Sequence, residues 1–288
     1  MVNLRGYTQI VVLSVIWGMA FVAIKRADVE LSSNNLTLLR WVIVAAAFLV
    51  LYPMLARPKA KFDMKDFPRL LVVALTSVDI YHLSLNAAEK TVNASLAGLL
   101  ISLSPLTTVL LSGIVLHEKI HRRLGLALVL AIAGAVLISS QDFSLTTGPG
   151  PLLVVVAALA SGTYTVASKP LVGKYGPFPV AAWAAFLGTA ILLPLISRSL
   201  IEQAQSISEV GWASVIYLAI LSTVVANLIF FTLVDRQAVS KLGVQLYLVP
   251  VVSAAGGVLV LGESLGLATL AGGALLLTAV ALGMPRHH

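Results

Sequence analysis

The stretch Ser95–Glu118, with the sequence SLAGLLISLSPLTTVLLSGIVLHE, recurs 145 residues later as Ser240–Glu263, with the sequence SKLGVQLYLVPVVSAAGGVLVLGE. Four identities hold the two copies in register: Ser95 with Ser240, Gly98 with Gly243, Pro105 with Pro250, and Glu118 with Glu263. Each copy is long and apolar enough to cross a bilayer as a helix, and each carries a proline near its centre. A repeat of this kind predicts a chain that is built from two similar units.

The repeat extends beyond this stretch with nearly the same spacing. Ser14–Lys25 aligns with Ala158–Lys169, and the glycines and final lysines of the two segments coincide. An offset that stays nearly constant over five spans indicates duplication of a whole unit. We therefore expect two five-helix units, residues 1–142 and 146–288.

The composition excludes most classes of protein other than a membrane protein. Of the 288 residues, 59% are hydrophobic and 11% are charged, whereas soluble domains carry about 25% charged residues. The mean hydropathy is +0.98, and a soluble chain of this length buries only about 75% of its unfolded surface. A soluble enzyme, a disordered chain and a coiled coil are excluded. The absence of cysteine excludes disulfides and thiolate metal sites.

The hydrophobic segments predict an all-α integral membrane protein with ten transmembrane helices. Each has about the 20 apolar residues that a spanning helix needs. The predicted spans are residues 8–25, 35–55, 67–88, 93–116, 122–140, 150–168, 177–197, 211–233, 239–261 and 265–284. Because five is odd, the second unit is inverted relative to the first. Two inverted repeats around a central cavity are an architecture of secondary transporters.

The basic residues predict the orientation of the chain in the membrane. If the N-terminus is cytoplasmic, 14 basic residues lie on the cytoplasmic side and 4 outside, with Arg40 inside the second span. The cytoplasmic set is Arg5, Arg57, Lys59, Lys61, Lys65, Arg69, Lys119, Arg122, Arg123, Lys169, Lys174, Arg236, Lys241 and Arg286. We therefore expect both termini in the cytoplasm. The net charge of +7 then reflects topology and does not predict a nucleic-acid partner.

The third span carries the clearest set of polar residues inside the membrane. Asp79, His82 and Asn86 have the spacing i, i+3, i+7, which places them on one face of an α-helix. Ionisable groups at this depth are costly and favour a functional interpretation. We expect them to line the cavity, where Asp79 and His82 share a proton or contact a substrate amine. The alternative is a hydrogen-bonded link between helices; Asn227 is the counterpart of His82 in the second unit.

Pro105 and Pro250 predict interruptions at matching positions of the two units. Each proline removes an N–H and clashes with the carbonyl four residues earlier, which belongs to Ile101 or Leu246. Paired broken helices are the best indication in a sequence of a transport site. Ser102 and Tyr247, one turn before the prolines, are then expected to contact substrate. A simple packing kink is the alternative.

Aromatic residues suggest further pocket-lining positions. Trp17 and Tyr164 project from the same face of the first and sixth spans. An indole or phenol at mid-span suits an amphipathic solute, because the ring packs and the N–H or hydroxyl forms a hydrogen bond. Simple packing is the alternative.

Three charged residues are candidates for gating. Arg40 lies two turns into the second span and either extends to the interface or acts in a gate. Glu118 and Glu263 precede the last helix of each unit, where a carboxylate stabilises a helix N-terminus. The alternative for both glutamates is pairing with Lys or Arg in gates on opposite membrane faces.

The sequence resembles the drug/metabolite transporter superfamily of the EamA type, and within it the YddG-like amino-acid exporters. The residues that carry the resemblance are Trp17-Gly18 ending in Lys25, Leu39-Arg40-Trp41, the two central prolines, and the Glu118 and Glu263 turns. The resemblance covers nearly the whole chain and implies ten helices, cytoplasmic termini, a central cavity, and export of metabolites or amino acids. The second unit departs from the first in having Ser161-Gly162 where the first has Trp17-Gly18.

Motifs for other activities are absent from the sequence. There is no phosphate-binding loop, no zinc motif and no Gly-x-Ser-x-Gly. We expect no enzyme activity, no cofactor and no metal.

The leading hypothesis is an alternating-access exporter of neutral or aromatic amino acids and related small metabolites in the bacterial inner membrane. Its partners are then a small-molecule substrate and the lipid bilayer, and a monomer suffices because one chain holds both units. The alternatives are a nucleotide-sugar or sugar-phosphate carrier of the same fold, or an intramembrane enzyme or lipid flippase.

Overall fold

The computed structural model describes residues 4–119, 122–142, 148–246, 248–264 and 266–283. Within these ranges the regular structure is entirely helical. The α-helices are α1 (Leu4–Ala27), α2 (Ser33–Leu55), α3 (Phe67–Ala74), α4 (Tyr81–Glu89), α5 (Ala94–Leu100), α6 (Leu103–Val115), α7 (Arg122–Asp142), α8 (Gly150–Tyr175), α9 (Pro177–Leu192), α10 (Arg198–Ser206), α11 (Glu209–Ile216), α12 (Ala226–Arg236), α13 (Val239–Gln245), α14 (Leu248–Leu261) and α15 (Leu267–Gly283). Two short 3-10 turns, Met64–Asp66 and Leu193–Leu195, extend α3 and α9.

Seven described helical segments are long and apolar enough to cross a membrane. They are Tyr7–Ala27, Ser33–Leu55, Met64–Glu89, Ala94–Val115, Gly150–Tyr175, Pro177–Leu195 and Glu209–Arg236. Shorter apolar helical segments, Gly125–Gly134 and Leu248–Leu261, lie within the predicted spans 122–140 and 239–261. The all-helical class is confirmed for the described residues, and the count of ten spans stays a prediction.

The fourth predicted span of each unit is broken at the proline. In the first unit α5 ends at Leu100 and α6 begins at Leu103, two residues before Pro105. In the second unit α13 ends at Gln245 and α14 begins at Leu248, two residues before Pro250. Because proline cannot donate a hydrogen bond and fits best in the first turn of a helix, a new helix starts just before each of these two prolines.

The third span of each unit contains a π-helical segment, which the sequence analysis did not predict. It covers Leu75–Ile80 between α3 and α4, and Tyr217–Val225 between α11 and α12. The two segments overlap when the units are aligned at the 145-residue offset. A π-helix turns less per residue than an α-helix, so it rotates the side chains that follow it, and such segments are common at functional sites.

Helices of the two units interleave instead of forming separate bundles. α1 packs against α14, α8 against α6 and α4, and α7 against α15. Glycines permit the first two of these contacts. A Cβ added at Gly18 would come within 2.5 Å of the Val252 Cβ, and one added at Gly162 within 2.5 Å of the Thr107 Cβ. Small residues at such crossings let two membrane helices approach closely.

Two lysines at equivalent positions secure the ends of the third spans. Lys25 donates hydrogen bonds to the carbonyls of Glu89 (2.5 Å) and Val92 (2.8 Å), at the C-terminal end of α4. Lys169 donates to carbonyls at the C-terminal end of α12, namely those of Val234, Asp235 (3.3 Å) and Gln237 (3.0 Å). A cation at a helix C-terminus satisfies the last carbonyls and complements the helix dipole.

Candidate functional site

A central cavity of about 100 Å³ lies between the two units. Both halves contribute to its wall through their first, third and fourth spans. Its volume is below the 300–1,000 Å³ that is typical of ligand pockets, so this arrangement must widen to take an aromatic amino acid. Of the residues predicted as site residues, the cavity wall contains Trp17, Arg40, His82, Ser102, Pro105, Tyr164, Asn227 and Pro250.

Aromatic side chains form one wall of the cavity. The ring centroids of Trp17 and Phe230 are 5.2 Å apart, and those of Tyr164 and Phe230 are 5.7 Å apart. The Trp17 indole N–H donates to the Ser222 carbonyl at 3.1 Å, which links the first helix of one unit to the π-helix of the other. The two predicted aromatics therefore contact a third, Phe230, which the sequence analysis did not single out.

The π-helical segments place a second pair of equivalent residues at the cavity. Ser77 and Ser222 line it from opposite units, as do His82 and Asn227. His82 is buried, with its Nδ1 3.2 Å from the Val78 carbonyl. The serine pair coincides at the 145-residue offset, so comparison of the two units could have identified it.

Arg40 is the basic residue of the cavity wall, and its side chain is held by the opposite unit. It is 4% exposed, and its Nε donates to the Thr223 hydroxyl at 2.9 Å. Thr223 belongs to the second π-helix and in turn donates to the Leu218 carbonyl at 2.8 Å. Among the described residues no carboxylate forms an ion pair with Arg40. The predicted extension to the membrane interface is wrong, because the side chain is enclosed by protein at the cavity.

The structure separates the three polar residues of the third span. His82 lines the cavity, whereas Asp79 and Asn86 are not in its wall. The Asn86 amide donates to the Thr37 hydroxyl at 2.8 Å, which is the link between helices that was the alternative interpretation. Asp79 is buried, and its carboxylate oxygens accept no hydrogen bond from the described residues. The predicted shared face assumed α-helical spacing, but Asp79 lies inside the π-helix, where that spacing does not hold.

The carbonyls that lie four residues before the two prolines accept hydrogen bonds from other backbone groups. Ile101 accepts from the Ser104 N–H at 2.9 Å, and Leu246 accepts from the Val249 N–H at 3.0 Å. A tight turn of three residues therefore replaces the α-helical bond that the proline removes. Ser102 donates to the Leu99 carbonyl at 2.5 Å. Tyr247 lies outside the described residues.

Glu118 and Glu263 each hold the broken helix of the opposite unit. The Glu118 oxygens accept from the backbone N–H groups of Val239 and Ser240, both at 3.0 Å, at the start of α13. The Glu263 oxygens accept from Ala94 at 3.0 Å and Ser95 at 3.1 Å, at the start of α5, and also from the Ser95 hydroxyl. We name these contacts the Glu118 clamp and the Glu263 clamp.

The clamps differ from both interpretations of the two glutamates. Each glutamate caps the N-terminus of a helix in the other unit and not that of the helix that follows it in the chain. Its partners are backbone N–H groups and not Lys or Arg side chains. Burial opposes ionisation of Glu118, but the hydrogen bonds from Ser240 and Val239 outweigh it and hold the pKa of the carboxyl below its ordinary value. Both clamps are formed in this structure, so each unit holds the start of the broken helix of the other.

The described residues offer no arrangement for a metal ion. No group of three or more His, Asp or Glu side chains within them is placed to bind one.

The EamA-like transporter family matches the chain twice, over residues 4–140 and 148–284. An uncharacterised transporter of Archaeoglobus fulgidus is 31% identical over 92% of this chain and 93% of its own length. A probable terminal-alkyne amino-acid exporter of Streptantibioticus cattleyicolor is 30% identical over 96% of this chain and 93% of its own. A probable amino-acid metabolite efflux pump of Salmonella typhimurium is 28% identical, with coverages of 94% and 92%.

One crystal structure has the same fold with a TM-score of 0.72, over 96% of both chains and with 19% identity. At that identity the likeness concerns the fold alone.

Proposed function

The chain belongs to the EamA-like transporter family, and from that membership we propose that it exports neutral or aromatic amino acids and related small metabolites by alternating access. It is an integral membrane transporter of a small-molecule substrate. Two relatives of similar length bear the names of an amino-acid exporter and an amino-acid metabolite efflux pump. Their names support the substrate class without identifying the amino acid.

The observation that carries the substrate class is the environment of Arg40. A guanidinium that is removed from water and lacks an acidic partner is costly, because its charge is not compensated. A substrate carboxylate would supply the missing partner through charge-assisted hydrogen bonds. The aromatic wall of Trp17, Tyr164 and Phe230 would pack against an apolar side chain, and the hydroxyls of Ser77 and Ser222 would bind the amino group.

A single cation favours one carboxylate over a phosphate ester. Phosphorylated solutes carry about two charges and are usually bound by several Arg or Lys side chains. Among the described residues that line the cavity, Arg40 is the one Lys or Arg side chain. This argument favours amino acids over nucleotide sugars and sugar phosphates.

The two clamps supply a mechanism for alternating access. Each closes one end of the cavity by joining a loop of one unit to the broken helix of the other. Release of the Glu118 clamp would open the cytoplasmic end, and release of the Glu263 clamp the outer end. Because the units, residues 1–142 and 146–288, are inverted copies, each opening can mirror the other.

We place the transporter in the bacterial inner membrane with both termini in the cytoplasm. The distribution of basic residues, 14 against 4, supports this orientation. One chain contains both units and both clamps, so a monomer suffices for transport.

Counterflow in liposomes tests the substrate class. Purified protein is reconstituted with an unlabelled neutral or aromatic amino acid inside, and uptake of the labelled compound is measured. We expect saturable counterflow. Arg40→Gln should raise the KM by about 10- to 100-fold, because a hydrogen bond to a charged group is worth about 1.5–3 kcal/mol. Arg40→Lys should lose less, because it keeps the charge but not the planar fork.

The matched control is Arg198→Gln, which changes a 92% exposed side chain outside the cavity and should leave KM unchanged. Counterflow of phosphorylated solutes alone would reject the proposed substrate class. So would equal counterflow of an amino acid and of the corresponding amine, which lacks the carboxylate.

A further inference from the structure

The two clamps are not equivalent, because only the Glu263 clamp has additional buried acids beside it. Asp28 follows α1, and Glu89 is the last residue of α4. Valines occupy the corresponding positions of the second unit, Val172 and Val234. A feature that is present at one end of an inverted repeat and absent at the other gives the two ends different chemistry.

Both carboxyl groups are enclosed by protein and lack hydrogen-bond donors. Glu89 is 0% exposed and Asp28 is 8% exposed. Among the described residues no group donates a hydrogen bond to either oxygen of Glu89 or of Asp28. A carboxylate that is buried in this way loses its hydration, and no hydrogen bond replaces it.

The neighbouring lysines are committed to backbone carbonyls. Lys25 donates to the carbonyls of Glu89 and Val92, and Lys90 donates to those of Asp28 and Leu31. Lys90 also forms an ion pair with Asp28, in which its Nζ lies 3.5 Å from the Asp28 Oδ1. The two ammonium groups therefore reduce the cost of a negative charge at this site without removing it.

Glu89 faces two acids and one base at this end of the cavity. Asp28 and Glu263 disfavour its negative charge, and Lys25 favours it. The start of α8 packs against the end of α4 through Gly150. The first several turns of α8 after Gly150 have no ionisable side chain. α2 faces α4 with the Arg40 guanidinium, which acts on Tyr81 and His82, and with neutral groups such as the Thr37 hydroxyl that binds Asn86. If every group were ionised, three carboxylates would oppose two ammonium groups.

We propose that Asp28 and Glu89 form a proton-binding site of the closed Glu263 clamp, so that closure of this end takes up protons from the solution it seals off. The proposal rests on the opening and closing of this clamp, as described under the proposed function, but not on the identity of the substrate. Burial raises the pKa of Asp28 to about 6 against the opposing effect of Lys90, which supports proton uptake on closure.

The direction of the pH effect follows from linkage. A carboxyl group that binds a proton more tightly in the closed form favours closure at low pH, and this preference is lost as the pH rises through its closed-form pKa. For Asp28 the preference is lost between its ordinary value of 3.8 and about 6. This end should therefore open more readily in neutral than in acidic solution.

Cysteine accessibility tests the proposal, since the natural chain contains no cysteine. Ala94→Cys places a thiol at the Glu263 clamp, and Val239→Cys places one at the equivalent position of the Glu118 clamp. Both parent side chains are fully buried, and the clamps use only the backbone of these residues. The rate of reaction with a water-soluble maleimide is measured in the purified protein at pH 5 and pH 8, relative to an exposed cysteine at Ser206.

We expect the relative rate of Ala94→Cys to rise about tenfold between pH 5 and pH 8, from the Asp28 shift alone. The double change Asp28→Asn with Glu89→Gln should abolish this rise. The relative rate of Val239→Cys should not depend on pH in either background. If the double variant does not fold, each single change must still reduce the rise.

An unchanged rise in the variants, or an equal rise at both clamps, overturns the proton site. A reaction of Ala94→Cys that is independent of pH overturns it as well but leaves the transport proposal intact. Complete protection of this thiol at every pH overturns the opening of the clamp on which both proposals rest. Loss of amino-acid counterflow with a normal pH response would reject the substrate class alone.

Discussion

The Glu118 Oε2 accepts a hydrogen bond of 3.0 Å from the backbone N–H of Ser240, across the boundary between the two units. The equivalent pair, Glu263 and Ser95, has the same geometry at 3.1 Å and joins the units in the opposite sense. Each glutamate satisfies N–H groups that a broken helix exposes at its start. The interruption at the proline therefore gives each unit a short helix whose N-terminus is held by the other unit.

Weakening one clamp should open one end of the cavity selectively. Glu118→Gln makes one of the two charge-assisted hydrogen bonds neutral and removes the other, because the amide nitrogen of Gln cannot accept from a backbone N–H. Hydrogen bonds to charged groups are worth about 1.5–3 kcal/mol. We expect the thiol of Val239→Cys to react at least fivefold faster in this variant, while that of Ala94→Cys is unchanged. Glu263→Gln should have the reverse effect. Equal acceleration at both thiols in either variant would contradict independent clamps.

The hydroxyl of Thr223 should control how Arg40 binds substrate. Thr223→Val removes the acceptor that fixes the guanidinium but keeps the shape of the side chain. We expect the KM for counterflow to rise by about tenfold or more, with little change in the maximal rate, because a hydrogen bond to a charged group is worth about 1.5–3 kcal/mol. The control is Thr232→Val, whose hydroxyl bonds only within its own helix. A similar KM in the two variants would refute the positioning role.

The close helix contacts at Gly18 and Gly162 should not tolerate a methyl group. Gly162→Ala places its Cβ within 2.5 Å of the Thr107 Cβ, and overpacking of this kind costs about 1–3 kcal/mol. We expect a lower free energy of unfolding, measured by denaturant titration in detergent. Gly173→Ala in the same helix meets no atom within 4 Å and should be neutral or stabilising by up to about 1 kcal/mol. An equally large loss of unfolding free energy for Gly173→Ala would contradict the assignment of the cost to the close contact at Gly162.

Asp28 should make thermal stability fall as the pH rises from acidic to neutral. Its pKa is raised by burial to about 6, so its contribution is fully present below about 3.8 and is lost as the pH rises through 6. The difference corresponds to at most about 3 kcal/mol. We expect the melting temperature of Asp28→Asn to fall less between pH 4.5 and pH 7.5 than that of the natural protein. Parallel pH profiles of the two proteins would contradict the elevated pKa.

Much of the architecture can be predicted from linear patterns in the sequence. Hydropathy and the scarcity of charge indicate membrane helices because the bilayer excludes unpaired polar groups. Pro105 and Pro250 predict the breaks because a proline lacks an N–H wherever it stands. Glu118 and Glu263 occupy equivalent positions of the 145-residue repeat, so the sequence predicts that they have equivalent roles before any contact is known.

Contacts between distant segments determine what these residues do. The partner of Glu118 is more than 100 residues away, and no local pattern specifies it. Asp79 and His82 do not share a face because the π-helix changes the rotation of the third span. The direction in which their side chains then point depends on how this span packs against the neighbouring helices. The sequence leaves Arg40 either extended to the interface or in a gate, and the Thr223 hydroxyl of the other unit holds it at the cavity.

The difference between what the sequence predicts and what the tertiary structure determines has a physical cause. Helix formation and interruption in a membrane depend on backbone hydrogen bonds within about four residues, so a linear sequence is enough to predict them. Burial and the hydrogen-bond partners of Arg40 and Glu89 depend on which helices meet and how each is rotated about its axis. Those rotations are set by interhelical packing of both units together, and packing is a property of the assembled fold.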